Sequence, residues 1–112
     1  MAKVTKLKSI SKSEFQRIVE TVEWYAVNHA NKEDSSSCHG IAEKLRNTNI
    51  SKGACFYDIS QEEFRRIVLG IDVYNVLQSA NRNSTWDDEL ETIFKKLDKL
   101  FIRKYREPAY PQ

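Results

Sequence analysis

Apolar residues follow a three-and-four spacing through most of the chain. After Ser11 they fall at Phe15, Ile18, Val19, Val22, Tyr25 and Ala26, one face of a helix predicted over 11–32. From Ser60 the same spacing returns at Phe64, Ile67, Val68, Ile71 and Tyr74, predicting a helix over 60–81. A last helix is predicted from Thr85, with its apolar stripe at Leu90, Ile93, Phe94, Leu97, Leu100, Phe101 and Tyr105 and a stop at Pro108. Acids lead this segment and bases close it, which complements the helix dipole. Between the first and third helices, Ser37 can cap the shorter stretch "CHGIAEKLRN", whose buried side would be Ile41, Ala42 and Leu45. Asn47 to Asp58 reads as irregular chain.

The two strongest helix starts are nearly the same ten letters. "ISKSEFQRIV" (10–19) and "ISQEEFRRIV" (59–68) share seven positions at an offset of 49. Ser11 with Glu14, and Ser60 with Glu63, have the spacing of a capping box. Ile10 with Phe15, and Ile59 with Phe64, have the spacing of a hydrophobic staple. Ile18 and Val19, like Ile67 and Val68, supply core. At the same offset Leu7 meets Phe56, Val22 meets Ile71, Glu23 meets Asp72, Tyr25 meets Tyr74, Val27 meets Val76, Ile41 meets Leu90 and Leu45 meets Phe94. The expectation is an all-α four-helix bundle built from two repeated helical hairpins, 4–52 and 53–107, related by a pseudo-twofold axis, with 108–112 as a flexible tail. Arg17 and Arg66 are the identical pair that helix initiation does not require. Either they face solvent beside an acid, or they form a clamp for an anion or an acidic partner.

A chain of 112 residues fits one domain able to bury a core without staples. Its 40% hydrophobic and 11% aromatic content argues against disorder, and no apolar run reaches the roughly 18 residues of a spanning helix. "MAKVTKLKSIS" has lysines but no continuous apolar stretch of a secretory signal, so the expected location is cytoplasmic and Cys38 and Cys55 are expected as thiols. The net charge of +2 is unevenly spread. Residues 1–12 carry four lysines and no acid, residues 95–112 carry six bases and two acids, and the body between holds eight bases and fourteen acids.

Catalytic and metal chemistry find little footing. His29, Cys38, His39 and Cys55 lack the close ligand pairs of a zinc site. Glu20, Glu23 and Glu43 lack the E-x-x-H spacing of bundle di-iron sites, and no phosphate-binding glycine motif is present. Nothing supplies a base for Cys38. The expectation is a non-enzymatic protein with no cofactor, metal or membrane partner.

Apolar residues off the main stripes, Trp24 and Val27 in the first helix and Leu69, Val73 and Leu77 in the third, serve either as core between neighbouring helices or as an interface to a homodimer or another protein. "LKSISKSEFQRIV" is similar to the opening of colicin DNase immunity proteins, over thirteen residues from Leu7 to Val19. The likeness does not extend to the Tyr-Tyr-Pro segment with which those proteins bind their nuclease. The expected function is therefore a protein-binding module, such as a small inhibitor, immunity-type or adaptor protein, using Arg17, Trp24, Arg66 and Trp86. The alternative is a nucleic-acid-binding regulator. It would use the basic ends, Lys3, Lys6, Lys8, Lys95, Lys96, Lys99, Arg103 and Arg106, or a degenerate helix-turn-helix in "HGIAEKLRNTNISKGACF".

Overall fold

A computed structural model describes residues 4–28, 32–51, 53–81 and 88–109. Among them are four helices, α1 (Lys12–Asn28), α2 (Lys32–Arg46), α3 (Gln61–Asn81) and α4 (Asp88–Tyr105), and two strands, β1 (Val4–Lys6) and β2 (Cys55–Tyr57). The helices pack against one another as a small all-α bundle. No described helix is long and apolar enough to cross a membrane.

Both repeated decapeptides start helices in the predicted way. Ser11 N–H donates to Glu14 Oε1 at 2.9 Å, and Glu14 N–H donates to Ser11 Oγ at 3.1 Å. Ser60 and Glu63 make the same two bonds at 2.9 and 3.1 Å. Ile10, Phe15, Ile59 and Phe64 are buried, as two staples require.

Three expectations change. β2 falls in the stretch expected to be irregular, and β1 in a segment for which no element was expected. They pair antiparallel, with Val4 opposite Tyr57, Thr5 opposite Phe56 and Lys6 opposite Cys55. Three residues are too few for alternation to register as a pattern, and what fixes this ribbon is the tertiary burial of Leu7 and Phe56. Second, α2 begins at Lys32 rather than at Ser37. Ser36 and Ser37 stay exposed within it, where serine costs a helix only a few tenths of a kcal/mol. Third, α4 ends at Tyr105, where Arg106 turns into the left-handed region (φ 57) two residues before Pro108, and Ala109 beyond it is fully buried.

One side of every helix meets in a single core. Phe56 is its centre. Its ring lies 6.4 Å from Phe15 and 5.0 Å from Phe64, edge-on to the latter, and Phe64 continues edge-on to Phe101 at 5.3 Å and Tyr105 at 6.2 Å. The starts of α1 and α3 both rest on Phe56 while Trp24 of α1 meets Tyr74 of α3 further along, so these two helices run in the same direction. Pairs from Glu14 to Lys96 and from Arg17 to Glu89 run α4 antiparallel to α1. The ribbon therefore lies at the pole where α1 and α3 begin and α4 ends.

Two substitutions check this frame. Phe56→Ala is expected to cost about 3–5 kcal/mol in urea unfolding, because the cavity opens where three elements meet. Ser11→Ala and Ser60→Ala are each expected to cost about 1 kcal/mol, and a cost near zero for either would show that its box does not hold the helix start.

Candidate functional site

The capping glutamates do more than cap. Glu14 reaches from α1 to Lys96 Nζ of α4 at 2.9 Å, and Glu63 reaches from α3 to Lys44 Nζ of α2 at 3.0 Å. Lys44 Nζ also donates to the Asp58 carbonyl at 3.0 Å, just before α3. Partial burial alone would push both carboxyls up. The serine N–H bonds and the lysine ammonium outweigh it and hold both below the ordinary glutamate value. The buried side of α2 is Cys38, Ile41, Ala42 and Leu45, and that of α4 is Leu90, Ile93, Leu97 and Phe101.

The predicted contact residues separate. Arg17 is engaged within the molecule, its Nη1 3.1 Å from Glu89 Oε1 of α4, and its side chain is one-third exposed. Arg66 is half-buried in a narrow crevice with Val22, Tyr25, Cys38 and Ile41. Arg17 thus lies against α4, and Arg66 beside α1 and α2. Trp24 packs edge-on against Tyr74, with ring centres 5.0 Å apart. Trp86 and Lys3 lie outside the described residues.

Exposed apolar side chains lie one turn from each member of the Trp24–Tyr74 contact. Val27, one turn beyond Trp24, is 72% exposed, and Leu77, one turn beyond Tyr74, is 39% exposed. Val73 is half-buried a turn before Leu77, and Val76 is exposed. This patch spans the seam between α1 and α3 on the half of the molecule away from the ribbon. The off-stripe positions Trp24, Val27, Val73 and Leu77 mark it in the sequence, whereas Tyr74 belongs to the main stripe and its surface role emerges only from packing.

The opposite pole is basic. Lys104 Nζ donates to Thr5 Oγ1 of β1, which joins the two basic ends of the chain. Lys6, Lys8, Lys99, Arg103 and Arg106 are exposed there and have no ion-pair partner among the described residues. Lys95 and Lys96 do not belong to this group, because Lys95 pairs with Glu91 at 3.5 Å and Lys96 with Glu14. The helix-turn-helix expectation is not met. After α2 the chain passes through turns into β2, and no helix follows until Gln61, because Phe56 is drawn into the core as a strand residue. Cys38 is buried, Cys55 is half-buried, and both are free thiols.

Comparison with known proteins finds no family model that matches the chain, no similar curated protein and no similar solved structure. The functional reading therefore depends on these two surfaces.

The lowered pKa values of Glu14 and Glu63 set a pH dependence. A carboxyl whose pKa is lower in the folded than in the unfolded state contributes stability above its unfolded value, and that contribution is lost as pH falls through the folded value. The urea midpoint is expected to decline below about pH 4.5, the ordinary glutamate value. The Glu14→Gln/Glu63→Gln double variant should decline less steeply over the same range; identical slopes would show that the two ties carry no linked proton.

Proposed function

We propose that this protein is a non-enzymatic protein-binding module that docks a partner on the apolar seam between α1 and α3. The observation that carries this reading is the exposure of Val27 and Leu77 around the Trp24–Tyr74 pair. Exposed apolar side chains grouped around aromatic rings are the composition of interface centres, where tryptophan and tyrosine contribute large contact area at low entropic cost. Trp24 would be the anchor and Val27, Val73 and Leu77 its surround. Arg17, tied to Glu89 two turns before Trp24 on α1, would form part of the rim. An inhibitor, immunity-type or adaptor role fits such a surface.

The same reading takes the chain as two copies of a strand, helix and helix unit. It is supported by the two identical capping boxes and by the matched ties from Glu14 to Lys96 and from Glu63 to Lys44.

A second reading, nucleic-acid binding, is favoured by one observation, the contact of Lys104 with Thr5 that gathers Lys6, Lys8, Lys99, Arg103 and Arg106 at one pole. It predicts binding to nonspecific duplex DNA that weakens steeply with salt, and no binding at about 50 mM salt would sink it.

For the protein-binding reading, the tagged full chain is expected to recover a stoichiometric partner from extracts of its native host. Val27→Arg and Leu77→Arg should abolish recovery by at least tenfold without lowering the unfolding midpoint. Recovery unchanged by both substitutions would remove this patch from the function.

A further inference from the structure

The ribbon ends the molecule with an unpaired edge. β1 pairs with β2 on one side only, and no other described strand reaches it. Leu7 N–H donates to the Ala54 carbonyl at 3.0 Å, which makes Leu7–Ala54 and, two residues back, Thr5–Phe56 the hydrogen-bonded pairs of the ladder. Val4 and Lys6, the alternate residues, then aim their N–H and C=O groups away from β2. An outward row of this kind is a template for one more strand.

The side chains at that edge specify the strand it would take. Thr5 and Phe56 point inward, whereas Val4, Lys6 and Tyr57 stand on the outer face, and Val4 and Tyr57, directly opposite each other, are each 52% exposed. Lys6 and Lys8 are exposed without an ion-pair partner among the described residues. Beside the Lys6–Cys55 end lies a cleft of about 480 Å³ with Leu7, Ile10 and Ala54 in its wall and Lys6 and Lys8 at its margin. Along β1 and just past it the exposed positions thus pass from apolar Val4 to cationic Lys6 and Lys8. Lys6 and Lys8 beside this edge favour a partner segment that brings carboxylates to it.

We propose that β1 binds an extended segment of a partner protein as a third, edge-added strand, and that the segment carries carboxylates at alternate positions. Backbone hydrogen bonds to Val4 and Lys6 would hold its register. Its carboxylates, two residues apart and so on one face, would meet Lys6 and Lys8 on the outer face of the ribbon, and its interleaved apolar residues would project from the other face. This site is separate from the α1–α3 seam, and either surface can function without the other.

The test uses the isotope-labelled full chain and a capped synthetic peptide of alternating glutamate and valine. The amides of Val4 and Lys6 are expected to exchange with solvent at least tenfold more slowly when the peptide is bound. A lysine and valine peptide of the same length should bind at least tenfold more weakly. Lys6→Glu/Lys8→Glu should weaken binding at least tenfold. Val4→Pro, which removes an outward N–H while leaving the β1–β2 ladder bonded, should also weaken it, with far-UV dichroism of both variants unchanged. Peptide-induced shifts confined to α4 or to the Trp24 patch would overturn the proposal, as would equal binding of the two peptides. Duplex DNA protecting this pole while the acidic peptide does not would likewise replace it with a nucleic-acid site.

Discussion

Phe56 couples elements that would otherwise have no reason to meet. A two-stranded ribbon of three residues per strand has no stability of its own, and a pair of helices with one apolar stripe each leaves that stripe half covered. Placing one aromatic ring of β2 between Phe15 of α1 and Phe64 of α3 answers both deficits. The ribbon gains an anchor, and the starts of the two parallel helices gain a common floor. The edge-on contacts from Phe64 to Phe101 and Tyr105 carry the same packing to the end of α4. The convergence of the two chain ends at one pole follows from this arrangement, since β1 can pair with β2 only where β2 is held.

Charge is distributed around that frame in two different ways. Some ionic groups are consumed in tying helices together: Glu14 with Lys96, Glu63 with Lys44, and Arg17 with Glu89. Others, at the ribbon pole, are left facing water. The difference follows from position. A lysine in the middle of α4 finds the capping glutamate of α1 within reach, whereas Lys6 and Lys8 have no carboxylate partner among the described residues. The apolar seam at Trp24 lies away from this pole, where the exposed lysines stand beside the exposed Val4 and Tyr57.

Much of the fold was legible because helices write their spacing over many residues. Phe15 to Ala26 and Leu90 to Tyr105 repeat the pattern often enough to define a face, and the capping boxes mark two starts to the residue. The ribbon was not legible, since "VTK" and "CFY" carry no period and their pairing is a consequence of where Phe56 packs. The Trp24 patch was visible as off-stripe residues. Its exposure was not, because an apolar residue off one stripe can equally belong to a second helix contact.

The double use of Glu14 and Glu63 bears on how the molecule opens. Each carboxylate is at once part of a helix start and part of the junction between that helix and one from the other half of the chain. Fraying the first turn of α1 therefore also loosens α4, and fraying α3 loosens α2. Local opening at these termini, ordinarily the cheapest motion a helix has, therefore also breaks an ion pair to another helix.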